Sequence, residues 1–360
     1  MAFEGQGVVV LGGGSWGTAL AQLLAHAGHT VTLLVRDPVL AMYLNENHEN
    51  PRYLSGVTLH PNIHAVAVSV GEGGAREKAA ADKVRSDAST LATLLADTRL
   101  LLLSVPCQVM RATLQALAVP LSTYCPHCVL VNTAKGIEVS ERVTVERMIQ
   151  EELPAFLPRY AVLSGPSFAL EVAQRKPTAV VLGCRDDALG SALRDVFATP
   201  WFRAYSSVDV TGVELGGAIK NIIAIAAGLS DGLGFGLNAR AALVTRGLAE
   251  TSRLGVALGA NPATFMGLSG LGDLMLTCSG DLSRNRQVGM RLGAGESLAA
   301  IAASMRMVAE GVKTTEAVHT LALAHGVDMP VTRAMYGVLY EALPPRAAVQ
   351  SLMERQLRKE

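Results

Sequence analysis

Near its start the chain runs Val8-Val9-Val10-Leu11 straight into Gly12-Gly13-Gly14-Ser15-Trp16-Gly17. Apolar residues at helical spacing follow from Ser15 to Ala27, then Gly28, then a second apolar run, Val31 to Val35. A short, wholly apolar run is the pattern of a strand buried on both faces. The G-x-G-x-x-G spacing alone is weak, because 35 glycines raise the chance of accident. Its position between a strand and a helix, with a second strand after, is what gives it meaning. The first glycine permits the tight turn, the second lets a pyrophosphate approach the backbone, and the third seats the helix on the sheet. The helix N-terminus adds unsatisfied N–H groups and partial positive charge. Gly12, Gly14, Ser15, Trp16 and Gly17 are therefore candidate dinucleotide contacts.

Two further buried-strand candidates, Leu100 to Val105 and Cys128 to Asn132, continue the alternation. Strands alternating with helices imply a parallel sheet covered on both faces. Between His64 and Leu91 the pattern fails: the stretch is small, charged and lacks large apolar residues, and it reads as a surface excursion. From about Ser206 helical patterns take over, at Val213–Leu229, Asn238–Leu254, Ser297–Val308, Thr314–His325 and Thr332–Glu341. The expected fold is an α/β Rossmann-type N-terminal domain with a mostly parallel sheet, followed by an all-α C-terminal domain. The boundary is expected near 205, giving a dinucleotide domain (1–205, with the inserted segment near 70–90) and a helical substrate domain (206–360). A chain of 360 residues has the length for two such domains.

Lys plus Arg equals Asp plus Glu at 31 each, so no overall field favours nucleic acid or a membrane. An anionic ligand must then be held by a few placed cations. The N-terminus lacks the pattern of a secretory signal, and no apolar run reaches membrane-span length. The richest helical candidate, Ala218 to Leu229, contains Lys220 and Asn221. Five cysteines, an odd number, point to reduced thiols and a cytoplasmic setting. Cys125-Pro126-His127-Cys128 has no second pair to complete a zinc site, and neither a metal nor a redox role is expected of it.

The residue after the second strand bears on NAD against NADP. An acid there suits the ribose hydroxyls and an arginine suits a 2′-phosphate. Here Arg36 comes first, favouring NADP(H), while the adjacent Asp37 leaves NAD(H) open. A nicotinamide that gives hydride to a carbonyl leaves an alkoxide, so a site built round such a cofactor needs a proton donor. Lys220, in an apolar helical stretch, reads either as that donor with a depressed pKa or as a lysine snorkelling to the surface. Asp273, in the otherwise apolar Gly270-Leu271-Gly272-Asp273-Leu274, calls for a partner: Lys220, substrate hydroxyls, or a helix end. Arg284 suits bidentate binding of a phosphate.

Taken in order, several segments resemble one family. They are Gly12 to Leu20, Asn132-Thr133-Ala134-Lys135-Gly136-Ile137-Glu138, Ser164-Gly165-Pro166-Ser167-Phe168-Ala169, Glu214 to Asn221, and Gly228 to Gly234 with Asn238 to Leu243. Gly267 to Leu274, Ser283-Arg284-Asn285 and Glu310-Gly311-Val312 complete the set. The chain is similar to NAD(P)-dependent glycerol-3-phosphate dehydrogenases of the bacterial type. That resemblance implies hydride transfer between NADPH or NADH and dihydroxyacetone phosphate, giving sn-glycerol 3-phosphate for phospholipid synthesis. It implies Lys220 as the proton-transferring residue, and Lys135, Gly165, Ser167, Lys220, Asp273, Ser283, Arg284 and Asn285 as substrate contacts. Cofactor contacts implied are the glycine turn, Arg36, Lys135, Ala169, Arg284, Val308 and Glu310. A homodimer is the family habit. The segment near 70–90 is longer than the family pattern, and Arg36-Asp37 leaves coenzyme preference open. A ketopantoate reductase or other two-domain hydroxyacid dehydrogenase would share the architecture, without Ser283-Arg284-Asn285 alongside Gly270-Leu271-Gly272-Asp273. A nucleotide-sensing regulator without catalysis would not need Lys220 and Asp273 intact.

Overall fold

Strand β1 (Gly7–Leu11) delivers the chain into the glycine turn, and helix α1 (Ser15–His26) leaves it. This is seen in a computed structural model, which describes residues 7–68, 88–305 and 309–353. The strands β2 (Val31–Val35) and β3 (Ile63–Ala67) follow, with α2 (Pro38–Asn47) between them. Next come α3 (Ala88–Ala96), β4 (Thr98–Leu103), α4 (Cys107–Tyr124), β5 (Val129–Asn132) and α5 (Val145–Glu152). Then β6 (Tyr160–Ser164), α6 (Ala169–Ala173), β7 (Thr178–Gly183), α7 (Asp187–Phe197) and β8 (Phe202–Ser207) finish the α/β part. The eight strands lie in the order β3-β2-β1-β4-β5-β6-β7-β8. All neighbours are parallel except β6 and β7. Strand order reverses on either side of β1, which pairs with both β2 and β4. Beyond the carboxyl ends of such strands a sheet opens a crevice for ligands, and the glycine turn lies there.

β1, β2, β4 and β5, with largely apolar runs, lie inside the sheet rather than at its edges, and β6 is likewise buried along its whole length. β3 (Ile-His-Ala-Val-Ala) and β8 (Phe-Arg-Ala-Tyr-Ser-Ser) are its edges and bury mainly one side. The surface excursion read near 70–90 lies outside the described residues as far as residue 87.

The chain divides into two units, 1–134 with 145–210, and 135–144 with 211–360. The second is built of helices: α8 (Val210–Gly232), α9 (Gly236–Ala257), α10 (Asp273–Ser279), α11 (Arg284–Gly293), α12 (Leu298–Ser304), α13 (Glu310–Ala324), α14 (Pro330–Tyr340) and α15 (Pro345–Met353). The helix read as Ser297–Val308 is shorter. Ser297 caps it, and the backbone turns extended at Met305.

Helix α8 is the centre of this unit, with Leu215, Ala218, Ile219, Ile222, Ile223, Ala224, Ile225, Ala227 and Leu229 all buried. A helix apolar all round belongs in a core or a membrane. It is the one helix among the described residues long and apolar enough to span a bilayer, and its apolar stretch is 94% buried. Four glycines let α8 and α11 touch backbone to backbone. A Cβ on Gly228 would fall 2.0 Å from the Arg286 carbonyl oxygen, one on Gly289 2.0 Å from that of Ile225. The corresponding distances are 2.3 Å from Gly232 to Met290 and 2.6 Å from Gly293 to Leu229. Beside this crossing Arg286 donates from Nε (3.1 Å) and Nη2 (2.8 Å) to one Asp231 carboxylate oxygen. α11 is thereby fixed against α8.

Candidate active site

Lys220, two turns from the glycines of α8, is 7% exposed. Its Nζ donates to the Asp273 carboxylate and, at 2.8 Å, to Thr277 Oγ1. Asp273, 1% exposed, opens α10 after a single π-helical turn at Leu268–Gly272. Its second carboxylate oxygen accepts from Lys135 Nζ at 2.7 Å. Thr277, one turn on, donates to the Asp273 carbonyl at 2.6 Å, leaving its oxygen lone pairs toward the lysine. The expected partner of Asp273 is thus two lysines at once. Burial lowers the Lys220 pKa to about 8; the Asp273 charge raises it and the Lys135 charge lowers it. Two ammonium groups share one carboxylate, so the cluster keeps a positive excess suited to a substrate oxygen that develops negative charge.

Ser283 caps α11, its Oγ accepting from Arg286 N at 3.2 Å. Arg284 follows with its side chain exposed, although the surrounding protein withdraws enough water to lower its pKa, and Glu310 opposes that shift. The guanidinium stays charged at any working pH. Asn285 is buried; its Nδ2 donates to Asn221 Oδ1 at 2.9 Å and its Oδ1 accepts from Gly311 N at 3.1 Å. Asn221 Nδ2 in turn donates to the Lys135 carbonyl at 3.3 Å. One hydrogen-bonded chain therefore runs from the Ser283-Arg284-Asn285 segment, past Lys220's neighbour, to Lys135. Glu310 begins α13. Val308 lies outside the described residues.

In the first unit the glycine turn has the shape a pyrophosphate needs. Gly12 has φ +115°, and a Cβ there would meet the Ser104 carbonyl oxygen at 2.6 Å. A Cβ on Gly17 would strike the Gly12 carbonyl at 1.9 Å, whereas Gly14 faces open space. No side chain caps the N-terminus of α1. Trp16 Nε1 is buried and, among the described residues, has no hydrogen-bond partner, a donor suited to a ligand acceptor. These features fit a dinucleotide. Arg36 is exposed at the end of β2. Asp37 is engaged twice, capping α2 through Val39 N at 2.9 Å and pairing with Arg52 at 2.8 Å. Gly165, Ser167 and Ala169 lie where β6 passes into α6, and Ser167 Oγ donates to the Gly165 carbonyl at 3.0 Å.

Family models match both units. That described as the NAD-dependent glycerol-3-phosphate dehydrogenase N-terminus matches residues 7–70 and 79–190, and the C-terminus of the same family matches 209–350. The chain belongs to the NAD-dependent glycerol-3-phosphate dehydrogenase family. A Lawsonia intracellularis protein named glycerol-3-phosphate dehydrogenase [NAD(P)+] is 60% identical over 355 residues, 99% of this chain and 95% of that one. One of the same name from Nitratidesulfovibrio vulgaris is 58% identical over 353 residues, 98% and 99% of the two chains. The crystal structure of glycerol-3-phosphate dehydrogenase from Coxiella burnetii superposes with a TM-score of 0.86 at 34% identity, over 98% of this chain and 99% of that one. The family's N-terminal pattern passes over residues 71–78, inside the excursion.

Some residues that shape the site within this family member carried no signal in the sequence. Asn50 Nδ2 donates to the Gly13 carbonyl at 3.0 Å and to Thr18 Oγ1 at 2.9 Å, pinning the glycine turn from 32 to 37 residues away. Tyr53 offers its carbonyl to Ser15 Oγ at 2.6 Å. Thr277 had a findable signal: it stands four residues after Asp273, on the same helix face.

Proposed function

We propose that this protein interconverts dihydroxyacetone phosphate and sn-glycerol 3-phosphate with NADP(H) or NAD(H). The observation that carries the reading is a buried lysine, its pKa drawn down to about 8, held by a carboxylate that a second lysine shares. The first unit takes the dinucleotide on the glycine turn through Gly12, Gly14, Ser15, Trp16 and Gly17, with Arg36 at the adenosine ribose and Ala169 further along. The helical unit supplies the acid–base groups. When bound, the reduced nicotinamide supplies the hydride that the ketone carbon accepts. Lys220 Nζ gives its proton to the carbonyl oxygen in reduction and receives the hydroxyl proton in oxidation. Asp273 and Thr277 hold that amine in place. Lys135 steadies charge on the same oxygen and approaches the cofactor. Arg284, with Ser283 and Asn285, grips the phosphate end, and Gly165 and Ser167 contribute turn N–H and hydroxyl contacts. Binding energy at the phosphate thus orients the reacting carbon. Arg284 and Glu310 also contact the cofactor.

Arg36 favours NADP(H). Asp37 supports that preference, because a carboxylate already bonded to Arg52 and to a helix N-terminus offers less repulsion to a 2′-phosphate. The protein acts as a homodimer in the cytoplasm, supplying glycerol 3-phosphate for phospholipids. Oxidation of NADPH and NADH, followed by absorbance with dihydroxyacetone phosphate and separately with a branched 2-keto acid, tests the assignment. Turnover is expected with the phosphorylated ketone only. Turnover with the keto acid instead would make the protein a hydroxyacid dehydrogenase, and none with either would remove the catalytic reading. Sedimentation velocity tests the dimer.

A further inference from the structure

The segment Cys125-Pro126-His127-Cys128 plays no part in the chemistry above. It joins the end of α4 to the start of β5. Cys125 N donates to the Leu121 carbonyl at 3.0 Å, which ends the helix, and Cys128 N donates back to the Cys125 carbonyl at 3.0 Å. A four-residue turn closed in this way holds its outer Cα atoms within about 7 Å, close to the span that a disulfide bridges. Both cysteines are reduced and nearly covered, at 5% and 1% exposure. The two thiols act on each other: Cys128 draws the Cys125 thiol below its ordinary range, while Cys125 and burial together push that of Cys128 far up. Only Cys125 is drawn down among these thiols; burial pushes up Cys184 and Cys278, the latter to about 12. Arg159 clasps the turn, Nη2 donating to the Pro126 carbonyl at 2.7 Å, and its charge reaches Cys128. Its Nε–H is buried with no hydrogen-bond partner among the described residues. A nearby guanidinium favours thiolate, and here it favours it at Cys128, the sulfur that must lose its proton when a disulfide closes.

We propose that Cys125 and Cys128 form a redox dithiol, a modification site that takes a hydroperoxide as oxidant and closes reversibly to an intrachain disulfide. The Cys125 thiolate attacks the terminal peroxide oxygen, so an S–O bond forms, the O–O bond breaks, and the other oxygen leaves with the thiol proton as an alcohol, or as water when the oxidant is hydrogen peroxide. Cys128 sulfur then attacks Cys125 sulfur. The S–S bond forms, the S–O bond breaks, and the hydroxide leaves as water with the proton of Cys128. Two electrons pass from the sulfurs to the peroxide. The site does not depend on the dehydrogenase reading.

The test treats the folded full-length protein with hydrogen peroxide, blocks remaining thiols with an alkylating agent, and reads peptide masses. The expected result is a peptide carrying residues 125 and 128 that has lost two hydrogens, resists alkylation, and regains both thiols with a dithiol reductant. It should accumulate before Cys184 or Cys278 reacts. In Cys128→Ser the expected product is a sulfenic acid on Cys125, trapped by a cyclic 1,3-dione. Full alkylation of both cysteines after peroxide, or separate oxygen addition to each without the linked peptide, overturns the proposal. The unsubstituted protein decides the matter even if the variant does not fold.

Discussion

Asp273→Asn tests whether the carboxylate sets the proton affinity of Lys220. In the native cluster burial and Lys135 push the lysine down while Asp273 holds it up, leaving it at about 8. At pH 7 such a lysine is about 90% protonated. An opposite charge at hydrogen-bond distance is worth roughly 1–3 pKa units. Asparagine keeps the shape and removes the charge, so the lysine falls to between about 5 and 7, and its protonated share at pH 7 drops to between roughly half and a hundredth. The assay is kcat/KM against pH in both directions, because that parameter reads the ionisations of the unliganded enzyme. Ketone reduction needs the ammonium, so its alkaline limb moves to lower pH. Alcohol oxidation needs the neutral amine, so its acid limb moves the same way and the falling rate shifts with it. General damage lowers both profiles without moving either. The fold also loses the partner of one buried and one partly buried cation, at about 3–5 kcal/mol, but the position of a limb does not depend on how much sample is folded. Limbs that stay in place in Asp273→Asn would refute the reasoning.

Lys220→Ala should lower kcat/KM about 10²- to 10⁴-fold while fluorescence titration shows unchanged NADPH binding. Arg284→Ala should raise KM for dihydroxyacetone phosphate by about one to two powers of ten, the worth of about 1.5–3 kcal/mol of charged hydrogen bonds. An unaltered KM would reject the phosphate grip. Arg36→Ala should raise KM for NADPH by a similar factor, roughly tenfold or more, and leave that for NADH in place, measured as the ratio of the two. Gly228→Ala places a methyl 2.0 Å from the Arg286 carbonyl oxygen. It should cost about 1–3 kcal/mol or more, visible as a lower denaturant midpoint.

The parts of the fold that could be read ahead were those where one physical demand dominates. β1, β2, β4 and β5 each have a strand on either side and must be apolar on both faces, so their runs stand out. β3 and β8, at the edges, answer to solvent on one side and carry His64, Arg203 and Ser206. β7 begins Thr178-Ala179 and pairs antiparallel with β6, a relation that no local pattern encodes. The same contrast holds in the site. Lys220 and Asp273 were conspicuous as charges in apolar helices, and their pairing follows from the cost of burying either alone. That Lys135 shares the carboxylate across 138 residues could not be read from spacing. Nor could the double engagement of Asp37, whose partner Arg52 belongs to a different turn. The end of α12 at Ser304 escaped because alanines and methionines continue a helical pattern past the point where the backbone straightens.

The helical unit is not one uninterrupted stretch of chain. Ten residues, 135–144, belong to it although the chain then returns to the α/β unit as far as residue 210. Ile137 is fully buried in the helical core, and Asn221 holds the Lys135 carbonyl. A single recombination event between the halves of two related genes would therefore pair Asp273 of one parent with Lys135 of the other. Grafting the C-terminal half onto a new nucleotide-binding scaffold would leave the carboxylate one ammonium short unless this decapeptide travelled with it.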